Sequence, residues 1–119
     1  MPTQRQNTYN NISGLDNVVL FETTSEDFSE KLTDQMVADM NIAWVLIDGS
    51  HHYEDVVIDV ALALRLIGTR PGGIVFDDVN IDGVGRAYRE FLAMDIKRSD
   101  GLDVYLHEPG HIIYHRINQ

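Results

Sequence analysis

Three carboxylates stand at the ends of apolar runs. Asp48 follows Ala43-Trp44-Val45-Leu46-Ile47, and Asp77-Asp78 follow Ile74-Val75-Phe76. Adjacent parallel strands lie about 4.8 Å apart, and ligands of open parallel sheets bind beyond the carboxyl ends. If the two runs are neighbours of that kind, three carboxylates converge. Their repulsion raises at least one pKa, and a divalent cation relieves it. All-oxygen ligation favours a hard ion such as Mg²⁺, Ca²⁺ or Mn²⁺. Consecutive strand residues face opposite ways, so Asp77 and Asp78 can share an ion only if the backbone turns at Asp78. The plainer alternative is that each Asp caps the next helix or is solvated in a loop.

Other residues carry weaker chemical signals. His51-His52 follow Asp48 at a helix start. A neutral imidazole there can act as general base or hydrogen-bond a cofactor. Two solvent-facing first-turn residues are the alternative. Glu54 and Asp55 read as a solvated face. His107, His111 and His115 have zinc-like spacing, but Pro109-Gly110 breaks any helix that would align them. Polar decoration of an edge strand is the competing reading. Gly83-Val84-Gly85 hints at a phosphate loop, without the third glycine or the Lys-Ser/Thr that common fingerprints need. The alternative is a flexible loop leading into a helix.

The elements that must position these residues follow from periodicity. Val18-Val19-Leu20-Phe21 reads as a buried strand. Thr24 and Asp27 resemble a capping box. Phe28, Leu32, Met36 and Met40 recur at helical spacing, predicting one helix. Residues 43–47 form the next strand, with Ser50 as N-cap of a helix through Val56, Val60, Leu64 and Ile67 to Gly68. Pro71-Gly72-Gly73 turns the chain into the strand at Ile74. Val84, Tyr88, Phe91 and Leu92 mark a third helix. Residues 102–107 and 111–117 form a hairpin around Glu108-Pro109-Gly110. Alternating apolar strands and helices predict an α/β, Rossmann-like three-layer sandwich. Its sheet should be mostly parallel, with a C-terminal antiparallel hairpin. Residues 1–14 read as a polar arm and 15–119 as the domain.

Composition bounds the function. The chain has 119 residues, enough for one domain, and 44% are hydrophobic. Nine basic residues face nineteen acidic ones, for a net charge of −10. That balance disfavours nucleic acid and anionic membrane surfaces as partners. Without cysteine there is no disulfide and no thiolate chemistry. The most apolar stretch, Val56–Ile67, contains Asp59 and Arg65 and is too short to span a bilayer. The opening MPTQRQNTYNN has no apolar signal region, so a cytoplasmic location is expected.

The block Ile47-Asp48-Gly49-Ser50-His51-His52-Tyr53, then Asp59, Gly72-Gly73 and Asp77-Asp78, resembles the second half of class I S-adenosylmethionine-dependent methyltransferases. The closest group is the small-molecule O-methyltransferases. Ser13-Gly14-Leu15-Asp16-Asn17-Val18 resembles the lead into that fold's third strand, and Gly83 to Phe91 the helix after its fifth. The resemblance implies S-adenosylmethionine as cofactor, held at Asp48, Gly49, Ser50 and His51. It implies Mg²⁺ or another hard divalent cation on Asp48, Asp77 and Asp78, and catalytic roles for His51 and Asp48 toward a small-molecule hydroxyl acceptor. Ser50 stands where some sugar O-methyltransferases carry a basic carboxylate. The family's glycine-rich loop and the acid ending its second strand have no counterpart in residues 1–17, so the fold reads as truncated by its first two strands. Those strands lie between the third and fourth, so the run at 18–21 must pair beside 43–47 or leave a gap for a second chain. A homodimer or a partner chain completing the sheet is expected. Two competing readings are a non-catalytic truncated fold acting as a binding or assembly module, and a metal-dependent hydrolase using the same carboxylates.

Overall fold

A computed structural model describes residues 14–97, 102–104 and 112–118. Two short helices come first, α1 (Ser25–Lys31) and α2 (Asp34–Met40). The spacing of Phe28, Leu32, Met36 and Met40 predicts a single helix, and Thr33 is why there are two. Thr33 leaves helical geometry, and its hydroxyl accepts the Met36 N–H at 3.1 Å, as Thr24 accepts that of Asp27 at the start of α1. Asn41, at φ 50°, closes α2.

The remaining elements are β1 (Trp44–Ile47), α3 (Tyr53–Ile67), β2 (Gly72–Asp77), α4 (Asp82–Ala93), β3 (Leu102–Val104) and β4 (Ile112–Ile117). His52, not the expected Ser50, holds the N-cap position of α3, and the Ser50 hydroxyl accepts the His52 N–H at 3.1 Å. Gly68 ends α3. Arg70 then satisfies its last carbonyls, donating to Leu66 O at 2.7 Å and Ile67 O at 3.1 Å. It reaches Ile42 O and Asn41 Oδ1 ahead of β1 as well.

The sheet order is β1-β2-β4-β3. β1 and β2 are parallel, and β4 is antiparallel to both β2 and β3. The sheet is therefore mixed, with one parallel pairing among the described residues where a mostly parallel sheet is expected. The reason lies in Val18–Phe21. The run joins no strand among the described residues, and its four residues are 41%, 76%, 38% and 54% exposed. Phe21 instead packs edge-on against Phe28 of α1, with centroids 5.3 Å apart.

Register sorts the two faces. Val45, Ile47, Ile74, Phe76, His115 and Ile117 share one face, since cross-strand partners lie on the same side. Val56, Val60, Ala63 and Ile67 of α3 and Val84, Ala87 and Phe91 of α4 complete a single core with it. On the opposite face Trp44, Leu46 and Tyr114 are exposed. Among the described residues the two long helices thus cover one face, giving two layers where three are expected. α1 attaches to α3 through Arg65, which donates to Ser29 O at 2.9 Å and to the O of the buried Leu32 at 2.6 Å, and Asp34 of α2 lies 4.0 Å from the same guanidinium. No helix among the described residues is long and apolar enough to cross a membrane.

Candidate functional site

The parallel register Ile47↔Phe76 places Asp48 and Asp77 side by side at the carboxyl ends of β1 and β2. Asp78 adopts a left-handed conformation, φ 59°, which Asp tolerates better than most residues. The chain therefore turns at Asp78, as sharing an ion requires. The turn is tied by Asp78 N–H donating to Asp77 Oδ1 at 2.9 Å and by Ile81 N–H donating to Asp78 O at 3.0 Å. One carboxylate oxygen from each of Asp48, Asp77 and Asp78 lies within 4.8 Å of the others. Among the described residues this is the group of His, Asp and Glu side chains close enough to hold a metal ion.

His51 is brought to the same place. Its Nε2 lies 3.0 Å from Asp78 Oδ2. An ionised carboxylate only accepts, so Nε2 carries the donated proton, and in the neutral ring Nδ1 keeps the lone pair. A hydrogen bond with Asp77 raises the Asp48 pKa above its ordinary value. Burial and the charges of Asp77 and Asp78 push the same way, and His51 opposes them. In the absence of a cation Asp48 thus holds a proton more readily than an ordinary carboxyl does. Gly49, Ser50, Val56 and Val84 line the crevice beside these groups. A more open groove of about 290 Å³ runs along the free side of β1. Val45, Leu46, Ile47, Leu62 and Leu66 form its apolar wall, and Asp48, Gly49 and Asp59 line it too.

The other candidates are placed differently. Glu54 and Asp55 are exposed in the first turn of α3, and His52 is exposed at its cap. His107 and His111 lie outside the described residues. His115 is 3% exposed, with Nε2 2.6 Å from the Tyr88 hydroxyl and its ring packed against those of both Tyr88 and Phe91. Edge decoration is therefore corrected for His115, because β4 lies inside the sheet rather than at its rim. Gly83 and Gly85 belong to the first turn of α4 and not to a loop. A phosphate loop and a flexible lead-in are both replaced by a tight helix contact.

Sequence reasoning missed one cluster beside the site. The Tyr53 hydroxyl donates to Glu90 Oε2 at 2.5 Å, and the Arg86 guanidinium lies 3.8 Å above the Tyr53 ring. Glu90 raises the Tyr53 pKa by accepting that proton. The i,i+4 pair Arg86–Glu90 was the available signal, but it reads equally well as an ordinary surface pair.

Comparisons with family models, curated proteins and solved structures find no match for this chain.

Proposed function

We propose that this chain carries the metal and acceptor side of an O-methyltransferase-type site, built on Asp48, Asp77, Asp78 and His51. The observation that carries this reading is the left-handed turn at Asp78. It brings a third carboxylate to the two strand ends and sets His51 on it. The donor set fits a hard divalent cation, since it is all oxygen and repels itself when ionised. The groove along β1 fits part of a cofactor such as S-adenosylmethionine. Its apolar wall suits a flat ring, and Asp48 and Asp59 suit a cationic sulfonium. When bound, the cation lowers the pKa of an acceptor hydroxyl, and the cofactor supplies the methyl group. Asp48, Asp77 and Asp78 hold the cation. His51, oriented by Asp78, takes the acceptor proton at Nδ1. Gly49 and Ser50 line the space between groove and crevice.

The same reading includes a second chain. β1 pairs only with β2 among the described residues, so its other edge is free. Beside it Trp44 and Leu46 are exposed, as is the run Val18–Phe21. A second copy completes the sheet and closes the groove. Mn²⁺ titration followed by water-proton relaxation tests the metal reading. Asp78→Asn weakens Mn²⁺ binding at least about tenfold, whereas Asp95→Asn, outside the cluster, leaves it unchanged. Equal affinity in wild type and Asp78→Asn contradicts the reading.

A further inference from the structure

Gly83 occupies the first turn of α4, although glycine weakens a helix relative to alanine. Its surroundings supply the reason. A Cβ at Gly83 would lie 2.2 Å from His51 O and 2.9 Å from Tyr53 N. Both are backbone atoms, so no side-chain rotation relieves the overlap. Two more residues of α4 hold the same segment at helical spacing, i+3 and i+7 from Gly83. Arg86 lies over the Tyr53 ring, and Glu90 accepts the Tyr53 hydroxyl.

The other attachment of α4 is the Asp78 turn. Ile81 N–H donates to Asp78 O, and Gly85 N–H donates to Ile81 O at 2.8 Å. One helix end is therefore fixed to the chain that carries Asp78 and seated on the chain that carries His51. We propose that Gly83 is a positioning residue whose bare backbone seats α4 on His51–Tyr53 and so sets the His51–Asp78 contact. This inference rests on the reading of Asp48, Asp77, Asp78 and His51 as one site.

The test has a metal-free arm and a metal arm. Crystal structures of the metal-free wild type and Gly83→Ala report the His51 Nε2 to Asp78 Oδ2 distance. It is 3.0 Å in the native chain, and Gly83→Ala opens it beyond hydrogen-bond range with α4 intact. Val60→Ala, a core truncation that destabilises without touching this contact, keeps it. Retention of the contact in Gly83→Ala overturns the proposal. In the metal arm Gly83→Ala weakens Mn²⁺ binding about tenfold, and this effect disappears in a His51→Ala background. An undiminished effect in that background also overturns it. If wild type binds no Mn²⁺, the metal reading fails, while the crystallographic distances still decide the role of Gly83. If Gly83→Ala does not fold in buffer, the variant is studied in trimethylamine oxide, which favours the folded state, and a His51–Asp78 contact that stays closed there overturns the proposal.

Discussion

Ile74-Val75-Phe76 and Val18-Val19-Leu20-Phe21 are apolar runs of nearly equal length with opposite fates. Ile74 and Phe76 are fully buried, while every residue of the second run is more than a third exposed. Hydrophobicity does not separate them. Neighbours do. Ile74 lies between Val45 and His115, and Phe76 between Ile47 and Ile113, with α3 and α4 covering that face. Val18–Phe21 pairs with no strand among the described residues. An apolar run marks a segment that gains by burial, but the gain needs a surface to pack on. The helices repeat the contrast. α3 and α4 each bury four residues, and α1 and α2 bury none.

That contrast can be broken by measurement, and the largest effect comes from the rings. Phe76→Ala should cost about 3–5 kcal/mol in urea denaturation, and Phe21→Ala less than about 0.5 kcal/mol at protein concentrations low enough to keep the chain monomeric. A Phe21→Ala loss approaching that of Phe76→Ala would mean that the N-terminal run is buried in solution, as the proposed second copy requires. Its loss would then grow with protein concentration.

The two arginines sharpen the comparison at an intermediate scale. Arg70 binds α3 to the start of β1 with four hydrogen bonds, whereas Arg65 binds the end of α1 to α3 with two. Arg70→Ala should cost about 2 kcal/mol of global stability. Arg65→Ala should cost less, because Arg65 is 40% solvent-exposed. Its effect should fall on amide exchange in α1 and α2, with the sheet left protected. Equal global losses would contradict the division into a packed half and an appended one.

The smallest effect is one of sign. The folded protein raises the Asp48 pKa, chiefly through the Asp77 hydrogen bond, so folding favours the protonated acid. Stability from this group is complete below the unfolded carboxylate value of about 3.9 and is lost as pH rises through the higher folded value. Metal-free wild type should therefore lose melting temperature relative to Asp48→Asn as pH increases from about 4 to 7. Saturating Mg²⁺ should reverse the order, since only the ionised wild-type site holds it. A gap between the two that does not move with pH would contradict the assignment.

The packed half was legible in the sequence for a physical reason. β1, β2, α3 and α4 each carry an uninterrupted apolar run or a full helical stripe, and the carboxylates sit at run ends. The turn at Asp78 could be stated only as a condition, because a side-chain pattern does not encode φ. The split between α1 and α2 was hidden by continuous spacing across Thr33, whose hydroxyl competes for the helix backbone. His115 was misread because its burial depends on strand order. The last strand enters beside β2, a long-range choice that local alternation does not record. Gly83 carried a visible oddity, a glycine near a helix start, but the His51 backbone that explains it lies in a different part of the chain.

The most direct test of the central claim is calorimetric titration of the folded chain with Mg²⁺ and Mn²⁺ at pH 7.5, repeated on Asp48→Asn and Asp78→Asn. One saturable site per chain is expected in the wild type, with at least about tenfold weaker binding in both variants. Saturable binding of equal strength in all three proteins, or no saturable heat from the folded wild type, would contradict that claim.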